Sequence, residues 1–317
     1  MINSDVLRVM IAKGAGDGTL KKISKYMKNS SSYSLNEICE NPQIMCSMGI
    51  NSEVAGNIYE SNEKALALQE QLFRNEVDMR WIGDDDYPTG LRKLDMTNIP
   101  AVLFYKGNYS LLKNKCVGFT GSRKVSDSGI RITDSSARQL SADGISVVSG
   151  YAKGVDITAH RAALQTGGNT IFVIVEGILK NKIKGEVKEL LNDRNHLFIS
   201  QFLPNLTWNA SNAMRRNNTI IGLADAMILI ESGLDGGTFN AGEQSLKNKK
   251  PLFVVEYGVS KPTAKGNSFF LHHGGIPIRG DENGKPILKR VYSALEQNET
   301  EERYEQLSFN FEQHQFG

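Results

Sequence analysis

Cys116-Val117-Gly118-Phe119-Thr120 runs directly into Gly121-Ser122-Arg123. A short, mostly apolar strand ends at a glycine, a hydroxyl and a guanidinium. The pattern recurs twice. Ile145-Ser146-Val147-Val148-Ser149 leads into Gly150-Tyr151-Ala152-Lys153-Gly154-Val155-Asp156. Ala226-Met227-Ile228-Leu229-Ile230-Glu231 leads into Ser232-Gly233-Leu234-Asp235-Gly236-Gly237-Thr238. In open α/β sheets, ligands sit outside the carboxyl ends of the strands. Glycines there let backbone N–H groups approach a phosphate, and the helix N-termini that follow add positive potential. Three such turns, two of them carrying Arg123 and Lys153, imply a ligand that bears phosphate.

Working outward, apolar strands are expected at 116–120, 145–149, 170–176, 196–200, 226–231 and 251–256, with amphipathic helical patterns between them. Asp127 or Ser128 is placed to cap the first of these helices, and Gly144 to stop it. Strand–helix alternation with near-continuous Val/Ile runs predicts an α/β fold, a doubly wound and mostly parallel sheet. A further short strand is read at Ala101-Val102-Leu103-Phe104-Tyr105.

Residues 1 to about 85 read as a small helical domain ahead of the sheet. Val6, Leu7, Val9, Met10 and Ile11 open it, and Ala65, Leu66, Leu68, Leu72 and Phe73 support a longer helix over 52–75. Gly14, Gly16, Gly18 and the serines at 30–34 punctuate it. Short helices joined by glycine turns fit a SAM or helix-hairpin-helix-like module, or one that only packs against a partner. Asp84 to Gly90 marks the boundary. The sheet domain is assigned to 86–285, and 286–317 to a short helix and polar tail.

The 317 residues carry 37 Lys+Arg against 35 Asp+Glu, a formal charge of +2. A nonspecific nucleic-acid coat would be far more basic, so any anion site is a local patch. Three cysteines, Cys39, Cys46 and Cys116, form no CxxC pair and indicate neither a metal site nor a disulfide framework. No signal peptide and no apolar run of about 20 residues is visible. A cytoplasmic protein with no membrane span, metal or cofactor is expected.

Each motif has a functional and a bland reading. Gly121-Ser122-Arg123 offers close approach, a hydroxyl donor and a planar fork for phosphate, or is an ordinary turn. In the second turn, Gly150 and Gly154 flank Lys153, a point charge for an anion. Asp156 and His160 stand four apart on the next helix, as an acid/base pair or as a cap and a packing histidine. Arg215, Arg216, Asn217 and Asn218 are expected at a helix start, where an anion would offset two arginines against the dipole. Gly236-Gly237-Thr238 opening a helix suits phosphate, with Asp235 and Glu231 nearby. Lys180, Lys182, Lys184 and Lys188 extend the basic surface or form a solvated loop. Neither GxGxxG nor GKS/GKT is present.

Taken in order, these pieces resemble the DNA-processing protein A family (DprA, also called Smf). The resemblance spans roughly 85–280 and rests on six segments. They are Tyr87-Pro88-Thr89-Gly90-Leu91, Asn98 to Asn108, Gly121-Ser122-Arg123, Ser149 to Asp156 with Ala159-His160, Arg216-Asn217, and Gly222-Leu223. It implies a Rossmann-like domain that binds single-stranded DNA, dimerises, and in natural transformation shields incoming strands and helps load a RecA-type recombinase. Arg123 then matches a DNA-contacting arginine, Lys184 falls near another DNA-binding lysine, and Arg216-Asn217 start the family's RNR segment. Asn218 stands where that segment has its second arginine. Gln201 replaces a glutamate, Lys182-Ile183 replaces an aromatic-proline step, and a C-terminal winged-helix domain is not expected.

The expectation is therefore a non-enzymatic single-strand binder in competence, recombination or defence. Gly121, Ser122, Arg123, Gly150, Lys153, Gly154, Lys184, Arg215, Arg216, Asn217, Gly236, Gly237 and Thr238 are its contact residues. A second class fits the same turns: a protein that binds or hydrolyses a free nucleotide, with Glu231, Asp235 or Glu243 as base. Ala241 stands where related nucleotide-cleaving families place a glutamate. Finally, Gln306-Leu307-Ser308-Phe309 with Phe311 resembles peptides that dock on the bacterial sliding clamp, or is a plain polar tail.

Overall fold

The computed structural model describes residues 2–29, 32–259 and 261–297; the 306–311 tail motif lies outside them. Six short helices come first: α1 (Ser4–Ile11), α2 (Asp17–Asn29), α3 (Leu35–Glu40), α4 (Pro42–Ser47), α5 (Ser52–Glu60) and α6 (Asn62–Arg74). Helices this short are marginal alone, so caps and packing hold them. Asn3, Ser34, Asn41 and Asn51 each accept amide hydrogens of the helix they precede, and Ser34 with Glu37 forms a capping box. Each such cap contributes about 1 kcal/mol. Arg8, 1 % exposed, ties the module together. It donates to the Ile58 carbonyl at 2.8 Å, the Tyr59 carbonyl at 2.6 Å and the Glu40 carboxylate at 2.5 Å.

The helix expected over 52–75 is broken at Ser61 into α5 and α6 and ends at Arg74, where Glu76 takes the left-handed conformation (φ 56°) and its neighbours close the helix end: Val77 N–H bonds the Leu72 carbonyl. β1 (Asp78–Trp81), α7 (Thr89–Arg92) and β2 (Val102–Gly107) follow. Then come β3 (Cys116–Thr120), α8 (Asp127–Ala142), β4 (Ser146–Ser149), α9 (Val155–Gln165) and β5 (Thr170–Val173). They are succeeded by α10 (Gly185–Lys188), β6 (His196–Ser200), α11 (Ala210–Leu223), β7 (Ala226–Leu229) and α12 (Gly236–Lys247). The chain continues through β8 (Leu252–Val255), α13 (Lys265–His272), β9 (Ile276–Ile278) and a last helix, α14, from 289 to 297.

Two compact units share this order. The first holds the described residues up to Tyr109, Phe172–Ile183 and Leu197–Thr219. The second holds Ser110–Ile171, Lys184–His196 and the described residues from Ile220 onward. In the first unit β2 pairs antiparallel with β1 (Trp81 opposite Val102) and with β6 (Phe104 opposite Ser200).

In the second unit the strand order is β4-β3-β7-β8-β9, every neighbouring pair parallel. The chain leaves β3 toward β4 on one side, while β7 lies on the other. The order therefore reverses between β3 and β7, which makes the gap beyond their carboxyl ends the topological switch point. A continuous core backs these strands. Val117, Phe119, Val147, Ile228 and Phe253 meet Leu140 of α8, Val155 of α9, and Val291 and Leu295 of α14. Each such side chain contributes roughly 1.5–3 kcal/mol by leaving water. Alanines Ala137, Ala159, Ala162 and Ala163 let α8 and α9 approach closely. Among the described residues no helix is long and apolar enough to cross a membrane.

Candidate nucleic-acid interface

The second unit carries three turns at strand carboxyl ends. Beyond β3, the Ser122 N–H donates to the Glu231 carbonyl at 2.9 Å, and the Lys124 N–H to the Ser122 hydroxyl at 3.0 Å. A Cβ on Gly121 would stand 2.4 Å from a methyl of Val155. Gly121 is therefore needed for packing onto the start of α9. Beyond β4, Gly154 has φ +81°, a conformation that favours glycine, and a Cβ there would stand 2.4 Å from the Ser122 carbonyl oxygen. The two turns thus lie backbone on backbone.

Their amides were expected to face a phosphate. Several are committed internally instead: Ala152 N–H bonds Asp156 Oδ2 at 3.2 Å, and Ile157 N–H bonds the Ala152 carbonyl at 3.2 Å. The turns hold side chains out. Arg123, Lys124 and Lys153 are exposed. Among the described residues none of the three has an ion-pair or hydrogen-bond partner on its side chain. Lys124 went unnoticed in the sequence, where it only trailed the arginine.

Lys184 is bound up with the second turn. Its N–H donates to the Tyr151 hydroxyl at 2.7 Å, its ammonium donates to the Tyr151 carbonyl, and the charge lies 4.3 Å from the Tyr151 ring centroid. The lysine steadies the loop that carries Lys153.

Asp156 and His160 do not form an acid/base pair. His160 is fully buried, with Nε2 2.6 Å from the Gly150 carbonyl and Nδ1 2.6 Å from the Thr170 hydroxyl. A carbonyl only accepts, so Nε2 carries the proton and both nitrogens are taken. The packing-histidine reading is the one the geometry supports. The Gly150 carbonyl is likewise occupied by this bond.

The third turn is exposed. Gly236, Gly237 and Asp235 are exposed, Thr238 is partly so, and Gly236 has φ +85°. The Asp235 side chain makes no cap bond to α12.

Glu231, a candidate base, is buried and held. Its carboxylate accepts the Ser126 N–H at 2.9 Å, the Ser126 hydroxyl, and the Tyr257 hydroxyl at 3.1 Å. Burial pushes its pKa up, but bonds from Ser126, Thr263 and Tyr257 outweigh that and hold the carboxyl below its ordinary range. Among the described residues no His/Cys/Asp/Glu group is arranged to hold a metal.

In the first unit lies α11 as far as Thr219. The helix starts at Ala210, so Arg215 and Arg216 lie beyond its first turn. The expected clash with the dipole is corrected accordingly, since that effect fades within a turn. Arg215 pairs with Asp17 at 3.1 Å and lies 5.5 Å over the Phe202 ring. Burial raises the Asp17 pKa and the Arg215 charge opposes the rise. Arg216, 7 % exposed, donates to the Val173 carbonyl at 3.2 Å, at the end of β5. Asn217 is half-buried beside it. Thr219 bonds the Gln201 amide oxygen. Asn218 Oδ1 is buried with no hydrogen-bond partner among the described residues.

One residue of this unit escaped the sequence reading. Trp208, in the loop before α11, is 53 % exposed. A tryptophan among loop formers was the available signal, since exposed indoles serve as stacking platforms. Of the aromatics near the strand ends, Tyr151 is half-buried, Phe202 is buried, and Phe239 packs 5.1 Å from Phe269 and 4.9 Å from Phe270.

The family described as DNA recombination-mediator protein A matches residues 78–288. DNA processing protein DprA of Streptococcus pneumoniae is 31% identical over 193 residues, 60% of this chain and 67% of that protein. Protein Smf of Escherichia coli is 27% identical over 211 residues, 66% of this chain and 55%, about half, of that protein's length. Among solved structures, DprA from S. pneumoniae aligns with TM-score 0.74 and 26% identity, covering 87% of this chain and 95% of that one. DNA processing protein A from Helicobacter pylori, described with a single-stranded DNA binding mode, aligns with TM-score 0.57 and 21% identity. It shares the fold over 71% of this chain and 97% of its own.

Proposed function

This chain belongs to the DNA recombination-mediator protein A family, and from that premise we propose that it binds single-stranded DNA. The carrying observation is the set of exposed cations, Arg123 and Lys153 with Lys124 beside them, on turns braced by the Gly154–Ser122 contact. A braced backbone presents these cations together, so only their side chains have to be ordered on a phosphate backbone. The exposed turn at Gly236, Gly237 and Thr238, which follows β7, is a further proposed contact for the same strand. In the first unit, Asn217 and the indole of Trp208 are proposed contacts, with Arg216 bracing the end of β5 and Arg215 holding α11 to Asp17.

The activity proposed is binding, not catalysis, because Glu231 is fastened by the Ser126 amide and hydroxyl and the Tyr257 hydroxyl, and Asp235 is exposed to solvent. Protection of single strands and hand-over to a RecA-type recombinase, by a homodimer, extend the proposal.

Fluorescence anisotropy with labelled single-stranded and duplex oligonucleotides across a salt series tests it. The expected result is single-strand preference that weakens steeply with salt. Arg123→Ala with Lys153→Ala is expected to flatten the log–log salt slope by about 0.7 for each phosphate that is no longer neutralised. Equal affinity for duplex, or a slope untouched by the double substitution, would sink the proposal.

A further inference from the structure

We propose that the Glu231 side chain is a resident anion that closes the switch-point crevice of the second unit to free nucleotides. In open parallel sheets this crevice is where a nucleotide's phosphates rest, against the N-terminus of the helix that follows the first strand. Here that helix is α8, capped by Ser126. The position is taken by the chain's own carboxylate. One oxygen accepts the Ser126 N–H at 2.9 Å, and the other accepts the Ser126 and Tyr257 hydroxyls.

The surroundings are shaped for an anion. Gly129 stands at the third helical position of α8, and a Cβ there would lie 2.7 Å from the Glu231 carboxylate oxygen. The Lys261 ammonium donates to the Ser128 hydroxyl and lies 3.4 Å from that of Ser126, adding positive charge. The backbone closes the rest. Ser122 N–H, the amide that a phosphate on the β3 turn would use, is bonded to the Glu231 carbonyl at 2.9 Å. Asn267 then pins the strand end: it accepts the Ser232 N–H at 2.9 Å and donates to the Ile230 and Val255 carbonyls at 2.8 and 2.9 Å. The carboxylate would repel a second negative charge at short range.

The consequence is selectivity. Phosphates are excluded from the crevice and left to the exposed cations on the rim, which favours a polymer that lies across the surface over a mononucleotide that enters. This inference stands apart from the single-strand reading and survives its failure.

The test compares the wild-type chain with Glu231→Ala and Glu231→Gln, probed with inorganic pyrophosphate and ADP at constant ionic strength. Thermal unfolding is followed for each. Glu231→Ala is expected to gain roughly 5 °C in Tm at a hundredfold excess of pyrophosphate over its Kd. Wild type and the shape-preserving Glu231→Gln gain nothing. A Glu231→Ala chain that is unfolded in buffer but folds when pyrophosphate is added gives the same answer. One that stays unfolded with pyrophosphate, or is folded and unmoved by it, overturns the proposal. Hydrogen exchange on wild type gives an independent reading: ADP is expected to leave the Ser126–Gly129 amides unchanged, and protection there overturns it as well. Anisotropy with single-stranded DNA, run in parallel, reports on the proposed function separately.

Discussion

Gly154 and Ser122 meet backbone to backbone: a Cβ on the glycine would stand 2.4 Å from the serine carbonyl oxygen. The contact joins the turn that carries Arg123 to the one that carries Lys153. Alanine at 154 would combine that clash with a φ of +81°, at an expected stability loss of about 3 kcal/mol. Urea unfolding measures the loss, and anisotropy on the folded fraction is expected to show weaker single-strand binding. Unchanged stability would mean that the two turns are not joined as described.

Trp208 is expected to act by stacking, without charge. Trp208→Ala should weaken single-strand binding by roughly 1–3 kcal/mol while leaving the salt slope alone, and Trp208→Phe should recover part of the loss. Quenching of indole fluorescence by an oligonucleotide gives a direct check. No quenching, together with wild-type affinity for the alanine variant, would remove Trp208 from the interface.

Arg215 and Asp17 make a structural pair. Arg215→Ala leaves Asp17 without its compensating charge and is expected to cost about 1 kcal/mol, with Asp17→Asn relieving most of it in the double variant. A double-mutant cycle by urea unfolding measures the coupling. A large drop in DNA affinity with no coupling would assign Arg215 to the strand instead.

Glu231 carries a pH signature. Its folded-state pKa lies below the ordinary value of 4.5. The stability it contributes is therefore fully present above that value and is lost as pH falls through the folded pKa. Stability measured in a pH series through that acid range should fall more steeply for wild type than for Glu231→Gln. Parallel curves would show that the carboxylate is not held as its Ser126 and Tyr257 donors require.

The parallel strands were legible because each is a short, nearly unbroken apolar run closed by a polar or glycine residue. β1 was not, since Asp78 and Arg80 alternate with Met79 and Trp81 over only four residues. β9 is three residues with Pro277 at its centre and sends even less signal. At the site, the turns were found where they were expected, but the fate of their amides was not readable. Ser126 meets Glu231 from 105 residues away, and Lys184 meets Tyr151 from 33. No local pattern encodes such partners. His160 illustrates the same limit, since its spacing from Asp156 suggested chemistry and only its burial beside Thr170 assigns it to packing.

The two units are interleaved along the chain, and this has a consequence at the ribosome. β2 is complete at Gly107, yet its neighbour β6 begins at His196. At ordinary elongation speeds roughly ten seconds separate their emergence. Throughout that interval β2 offers one unpaired edge to any passing chain, and only the arrival of β6 closes it.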